Sequence, residues 1–471
     1  MPDDHGLTRR GILKHSLLAG VSAGLGRLSL PLAAAADDAA GKPNIILILA
    51  DDLGYADLSC YGSRTIKTPN LDRMCGEGLK FTDFYTTSPV CTPTRSSIMT
   101  GCYPRRIGLH QHVLFPNSLK GLNPDEITVA EVLKSQGYAT AAIGKWHLGH
   151  HRPFLPTRQG FDYYYGIPYS NDMLTPTPDG RKGCVLLRNE ELIEHPTDQT
   201  TLTERYTEES IRFIRANSRR PFFLYLPHNF PHVPLYVSER FKGRSAGGLF
   251  GDVVECIDWG CGEILRVLRE LDIERNTLVI FTSDNGPDRH PAPPLRGTKG
   301  TTWEGGMRVP CIMRWPGRIP AGKVCTELAT VMDFMPTFAR LAGTNAPTDR
   351  VIDGKDITPL LSGQPEAKTP YEAFYYHTAQ GRLAGVRAGR WKLHLEPPGA
   401  QTRPATRAAG AATRPAAGPL LFDLASDIGE SVNLAAQHPD IVARLTDMCR
   451  RFDEEITRNS RPPGLVPKPA P

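Results

Sequence analysis

The sequence predicts an α/β protein, with a large, mostly parallel central sheet sandwiched by helices and a smaller C-terminal α+β region built on an antiparallel sheet. Three observations carry this. Apolar runs rich in β-branched residues recur at 45–50, 139–143, 222–226 and 278–282, as strands buried on both faces do. Helical patterns separate them. A polar cluster directly follows each run: Asp51-Asp52, then Lys145-Trp146-His147, then the stretch from His228 to His232, then Asp284-Asn285. In an open parallel sheet the C-terminal ends of the strands face the ligand crevice, so these groups are expected to converge.

The elements follow in order. Thr8-Arg9-Arg10-Gly11 precedes a weakly apolar run that ends in Ala33-Ala34-Ala35-Ala36, the pattern of a twin-arginine (Tat) export signal over residues 1–36. Gly20, Gly24, Gly26 and Arg27 interrupt the run, which argues for cleavage and against stable membrane insertion. The expected partner is the Tat machinery, and the expected location is periplasmic or extracellular. A catalytic domain is expected over 43–345. Within it, Thr128 and Glu131 form a capping box for a helix ending near Gly137. Residues 254–268 put Val254, Ile257, Cys261, Ile264, Leu265 and Leu268 on one stripe, and 331–342 also reads as helix. A C-terminal subdomain, 346–471, contains strand-like segments at 374–376, 383–386, 391–395 and 420–424 and a helix over 439–456. Residues 397–419 are rich in Ala, Pro, Arg and Thr without apolar period, which predicts a disordered surface loop.

Charge says little about function, and no nucleic-acid partner is expected. A net +5 from 55 basic and 50 acidic residues is too balanced for a nucleic-acid surface, and leaves room for local basic pockets around an anionic substrate. Ten cysteines show no CxxC or His/Cys spacing, which excludes a zinc site of that kind. Asp51, Asp52, Asp284 and Asn285 offer only oxygen, three of them as carboxylates, and so suit a hard divalent cation: calcium first, Mg2+ second. Taken singly, each pair also reads as a helix cap or turn.

In Cys91-Thr92-Pro93-Thr94-Arg95, Pro93 fits the first turn of a helix. Cys91 would then sit at a helix N-terminus, where backbone dipoles favour negative charge, with Arg95 adding a cation. The residues alone describe a reactive cysteine at an anion site, or else a small buried hydrophobe beside a turn.

CTPTR followed by SSIMTG resembles the Cys-x-Pro-x-Arg signature of the type I sulfatases, and the stretch from Gly137 to Gly149 resembles their second signature. Asp51-Asp52-Leu53-Gly54, Thr68-Pro69-Asn70-Leu71-Asp72, Gly166-Ile167-Pro168-Tyr169-Ser170, Thr282-Ser283-Asp284-Asn285-Gly286 and the stretch from Lys299 to Gly306 are similar to further family blocks, in family order. An ordered set is far more specific than one motif. Several blocks look closest to arylsulfatase A and N-acetylgalactosamine-6-sulfatase. The resemblance implies an alkaline-phosphatase-like fold and sulfate-ester hydrolysis of a sulfated saccharide or small aryl sulfate. It also implies that a formylglycine-generating enzyme converts Cys91 to formylglycine (3-oxoalanine). Asp51, Asp52, Asp284, Asn285 and modified residue 91 would hold calcium, and Arg95 would steady the formylglycine hydrate. Lys145 and Lys299 would clamp sulfate, with Ser170 as a further contact. His147 would be the base in sulfate release, and His232, with His228 as its rival, the acid for the leaving alcohol.

Two alternatives stand beside this reading. One is a phosphate or phosphonate monoester hydrolase of the same superfamily. The other is an inactive, calcium-stabilised carbohydrate-binding relative, against which every expected ligand and the nucleophile are present. His110, Asp172, His377 and Arg387 are candidates for contacts with the rest of the substrate.

Overall fold

The computed structural model describes residues 41–398 and 418–467, apart from 289, 292 and 365. The expected export signal and nearly all of the expected 397–419 loop lie outside these residues. Ten strands form the main sheet: β1 (Asn44–Ala50), β2 (Leu79–Phe81), β3 (Ala139–Ile143), β4 (Tyr163–Gly166), β5 (Leu186–Arg188), β6 (Glu191–Glu194), β7 (Phe222–Pro227), β8 (Thr277–Ser283), β9 (Cys311–Arg314) and β10 (Lys323–Cys325). Their order is β6-β5-β4-β3-β7-β1-β8-β9-β2-β10. The five strands from β4 to β8 in that order run parallel, while antiparallel pairs flank them, so the sheet is mixed around a parallel centre. All four apolar runs singled out above belong to that centre.

Alternation along β1 divides the core. Ile45, Leu47 and Leu49 face one side with Ile98 and Met99 of α2 (Cys91–Thr100), Leu133 of α3 (Val129–Ser135) and Phe334 and Phe338 of α6 (Phe334–Leu341). Ile46 and Ile48 face the other, with Leu71 and Met74 of α1 (Pro69–Gly76), Tyr206 of α4 (Leu202–Asn217) and the predicted stripe of α5 (Gly248–Glu270). A strand with helices on both faces must be apolar at every position, which is why β1 shows no polar alternation. The capping box forms as expected: Glu131 N–H donates to Thr128 Oγ1 (3.1 Å) and Thr128 N–H to Glu131 Oε2 (2.7 Å). Residues 331–342 split into a 3-10 turn (Val331–Asp333) and α6.

The second sheet is four-stranded and antiparallel, β11 (Phe374–His377), β12 (Leu383–Ala388), β13 (Trp391–His394) and β14 (Leu420–Asp423), in that spatial order. Leu445, Met448 and Cys449 of α7 (Pro439–Arg458) cover Val386, Leu393 and Leu421. On the side toward the main body, Lys392 of β13 donates to Glu304 Oε1 (2.8 Å) and the Thr302 carbonyl (2.9 Å) and pairs with Glu430 Oε1 (2.9 Å). Glu304 N–H donates to Glu430 Oε2 at 2.6 Å.

Candidate active site

Register assembles the acidic cluster. Ala50 of β1 lies opposite Ser283 of β8, so the next residues along each strand, Asp51-Asp52 and Asp284-Asn285, emerge side by side. Asp52 N–H donates to Asp284 Oδ1 (3.2 Å) and Asn285 Nδ2 to Asp52 Oδ1 (2.7 Å). Oxygen atoms of Asp51, Asp52 and Asp284 and the sulfur of Cys91 all lie within 4.8 Å of one another, fully buried. Asn285 Oδ1 is buried without a hydrogen-bond partner, an acceptor left open toward a ligand. Asp52 and His147 both hold φ near +60° (66° and 60°), a backbone region costly for non-glycine residues and concentrated at functional sites.

Cys91 opens α2, as the Pro93 position predicts. Its thiol donates to Asp51 Oδ1 at 3.3 Å. Burial, with Asp51 adding to it, pushes the thiol well above its ordinary value. Arg95 places its Nε and Nη1 on other partners, donating to Asp284 Oδ2 (2.9 Å) and to the Lys145 carbonyl (2.6 Å). Arg95 Nη2 lies 3.6 Å from Asp51 Oδ2 without a hydrogen bond. Burial and Asp51 thus favour the neutral thiol over the thiolate at Cys91.

Cations ring the carboxylates. Lys145 Nζ binds Asp51 Oδ2 and donates to Ser170 Oγ (3.1 Å). Lys299 Nζ donates to Asp52 Oδ2 (2.7 Å), and His232 Nε2 lies 3.7 Å from the same oxygen. Although burial opposes it, Lys145 and then Arg95 hold Asp51 well below the usual carboxylate range. Burial and the charge of Asp51 push Asp284 up to about 7. The side chains of Lys299 and His232 are 15% and 10% exposed, against 0% for Lys145, so those two stand at the mouth.

Hydrogen bonding sets both histidine tautomers, since a carbonyl can only accept. His147 Nε2–H donates to the Leu114 carbonyl at 3.0 Å, leaving Nδ1 buried and unpaired. His232 Nδ1–H faces the Val233 carbonyl at 2.5 Å, which directs Nε2 to the cluster. Burial, then Lys145 and Arg95, hold His147 well below its ordinary value. His228 is buried beside Tyr206, with its pKa pushed down to about 3 by burial.

Other groups were not among the residues singled out from the sequence. The Thr92 hydroxyl donates to the His147 carbonyl (2.9 Å) and accepts from Leu114 N–H (3.1 Å), tying the nucleophile helix to the histidine. A carbonyl such as that of Leu114 leaves no sequence signal. Asn229, fully buried with both amide atoms unpaired, lies inside the polar stretch after β7 and was findable there. Of the outer candidates, Arg387 bonds Asp83 Oδ1 (2.7 Å) and Tyr85, and His377 is buried against Tyr103, both between the second sheet and the main body. Asp172 is exposed, and His110 lies against Gly381.

Comparison with known proteins agrees with this geometry. A family model described as Sulfatase matches residues 43–344, and one described as the C-terminal region of aryl-sulfatase matches 369–462. The chain is 38% identical to Arylsulfatase A of Homo sapiens, covering 94% of this chain and 97% of that protein. It is 38% identical to N-acetylgalactosamine-6-sulfatase of Canis lupus familiaris, covering 93% and 92%. The crystal structure of PsFucS1 sulfatase from Pseudoalteromonas sp. superposes with a TM-score of 0.78 at 29% identity, covering 90% of this chain and 92% of that one.

Proposed function

The chain belongs to the sulfatase family, within the alkaline phosphatase superfamily, and from that premise we propose that it hydrolyses a sulfated carbohydrate or aryl sulfate using formylglycine made from Cys91 and a bound calcium ion. One observation carries the proposal: Asp51, Asp52 and Asp284 converge on Cys91 while Lys145 and Lys299 rest on the first two. That is a cation site sharing its edge with an anion site.

The donor set fits a hard cation. Three carboxylates and the unpaired Asn285 Oδ1 are all oxygen, and a divalent ion would draw Asp284 back to its charged form. Asp51, Asp52, Asp284, Asn285 and an oxygen on residue 91 would hold it. Calcium bound there supplies positive charge that lowers the cost of deprotonating a neighbouring hydroxyl. Formylglycine, as its hydrate, supplies one hydroxyl to attack sulfur and a second that expels sulfate by C–O cleavage. A neutral buried thiol offers neither.

The chain's own side chains do the rest. Lys145, Lys299 and Ser170 bind sulfate oxygens where charge develops. Arg95 Nη2, 3.6 Å from Asp51 Oδ2 and without a hydrogen bond, would orient an oxygen on residue 91. His232, at the mouth, acts as an imidazolium, keeping Nδ1–H on the Val233 carbonyl and giving its Nε2 proton to the departing alcohol oxygen. His147, neutral at working pH, takes a proton at Nδ1 during sulfate release.

The kinship with N-acetylgalactosamine-6-sulfatase supports a sugar sulfate as substrate. Arg9-Arg10 and the run after them support Tat-dependent export, with formylglycine installed by its generating enzyme before export. Among the described residues, no helix is long and apolar enough to cross a membrane. Parallel turnover of an aryl sulfate and an aryl phosphate tests the chemistry. Faster phosphate hydrolysis would overturn it, and a panel of defined sulfated oligosaccharides identifies the alcohol.

A further inference from the structure

Two of the ten cysteines differ from the rest. Cys91 lies in the site, and Cys102, Cys184, Cys256, Cys261, Cys311 and Cys449 are buried. Cys311 and Cys325 are register partners of Phe81 from its two sides, in β9 and β10. Two inter-strand spacings, about 9–10 Å, exceed the reach of a disulfide. Cys60 and Cys75 are both half-buried, and their side chains are interaction partners; Cys60 N–H is held by Asp72, one helical turn before Cys75.

The surrounding backbone holds this approach without help from a covalent bond. Cys60 lies in the 3-10 turn Ser59–Tyr61 and Cys75 in the last turn of α1. Cys60 N–H donates to Asp72 Oδ1 on α1 (2.9 Å), and Lys80 Nζ to the Cys60 carbonyl (3.1 Å). Ser59 N–H donates to Thr68 Oγ1 (3.0 Å) and Thr68 N–H to Ser59 Oγ (2.8 Å). The neighbouring Tyr61 hydroxyl reaches the Phe81 and Cys311 carbonyls, each at 2.7 Å. Cys60, Tyr61 and Cys75 all lie against the same core cluster. Turn and helix are thus held against each other on the side that carries both cysteines.

We propose that Cys60 and Cys75 are a modification site, closing to an intramolecular disulfide that staples the Ser59–Tyr61 turn to α1. Cys75 is the attacking thiol: its interaction with Cys60, with Lys80 helping against burial, brings it down to about 7. Its thiolate attacks a disulfide oxidant, glutathione disulfide or the disulfide of an oxidoreductase, forming a mixed disulfide and expelling one thiolate. Cys60 then loses its proton, attacks the Cys75 sulfur and expels the second thiolate. Two protein thiols are oxidised and one external disulfide is reduced to two thiols. The step is separate from sulfate chemistry and stands whether or not Cys91 is modified.

The test is peptide mapping of the full-length protein after incubation with glutathione disulfide, alkylation with iodoacetamide and tryptic digestion without reduction. The peptides bearing residues 60 and 75 are expected joined, lighter by two hydrogens than their sum. Cys60→Ser should stop at a glutathione adduct on Cys75. Oxidation should raise the Tm of the wild type by roughly 2–4 °C, reversibly with dithiothreitol, and leave a Cys60→Ser/Cys75→Ser variant unmoved. Recovery of both wild-type peptides alkylated, a persistent Cys75–glutathione adduct in the wild type, or a cross-link from Cys60 to another cysteine would each overturn the proposal.

Discussion

Cys91 Sγ donates to Asp51 Oδ1 across 3.3 Å, so the reactive position of this sulfatase faces a carboxylate before it faces any cation. A thiol kept neutral in that way is a poor nucleophile and a poor metal ligand. The surroundings are built for oxygen: three carboxylates, an open amide oxygen and two lysines.

Enzyme made in a host lacking the formylglycine-generating enzyme should therefore retain cysteine at residue 91 and hydrolyse no aryl sulfate above background. Co-production with that enzyme should replace one sulfur and two hydrogens by one oxygen in the residue 91 peptide, read by mass spectrometry, and restore turnover. Cys91→Ala should cost roughly 10³-fold or more in kcat. Full activity of a chain whose residue 91 is entirely cysteine would refute the assignment.

Chelation should lower both activity and Tm, and added calcium should restore both. A ligand bound only by the folded state stabilises by about 2.7 kcal/mol at 100 times its Kd, and here it also relieves repulsion among buried carboxylates. Asn285→Ala, which removes the unpaired oxygen, should raise the calcium concentration needed for half-maximal activity by about 10-fold or more. Titration of activity and Tm against free calcium reads this directly.

His232 as the leaving-group acid predicts a dependence on the alcohol. His232→Ala should cost about 10²–10⁴-fold on a sugar sulfate, whose alkoxide leaves poorly, and far less on a nitrophenyl sulfate. His228→Ala, at a buried histidine beside Tyr206, should show no such contrast. Equal losses on both substrates for His232→Ala would remove it from the acid role.

Acid should destabilise the fold through its buried histidines. Burial pushes His228 and His377 down to about 3, below the roughly 6.5 of an unfolded chain. A depressed folded value means that the unfolded state binds more protons, so the contribution is present above about 6.5 and is lost as pH falls toward 3. His377→Phe should flatten that limb, because both nitrogens of His377 are unpaired and its neighbours are Tyr103 and Phe452. Tm against pH for both proteins checks it.

Lys392→Met should unfold the protein more readily by about 3–5 kcal/mol, since it removes the buried cation that Glu304 and Glu430 share, leaving Arg308 at 3.4 Å as the ion-pair partner of Glu304. Because Lys392 also holds the Thr302 carbonyl, three residues from Lys299, KM for sulfate ester should rise as well. Denaturant unfolding and steady-state kinetics on the same preparation separate the two effects.

The sequence by itself determined the strand cores, their helical cover and the residues emerging at the strand ends, because buried strands and helix stripes write their period into local composition. It also determined that Asp51-Asp52 and Asp284-Asn285 would meet, since parallel neighbours end on the same side. Only the tertiary structure decided which partner each charge met. Arg95 lies four residues from Cys91 yet bonds Asp284, 189 positions further along, and burial, with Asp51 at the end of β1, raises the Cys91 thiol. His232 reaches Asp52 while His228 is buried away from it, a choice made by how the chain turns after β7. The second sheet's Lys392 braces the segment beside Lys299, and the Cys60–Cys75 approach comes from a turn docking on a helix. Charge state and hydrogen-bond partner depend on distance and burial, which arise only when segments far apart in the chain are brought together.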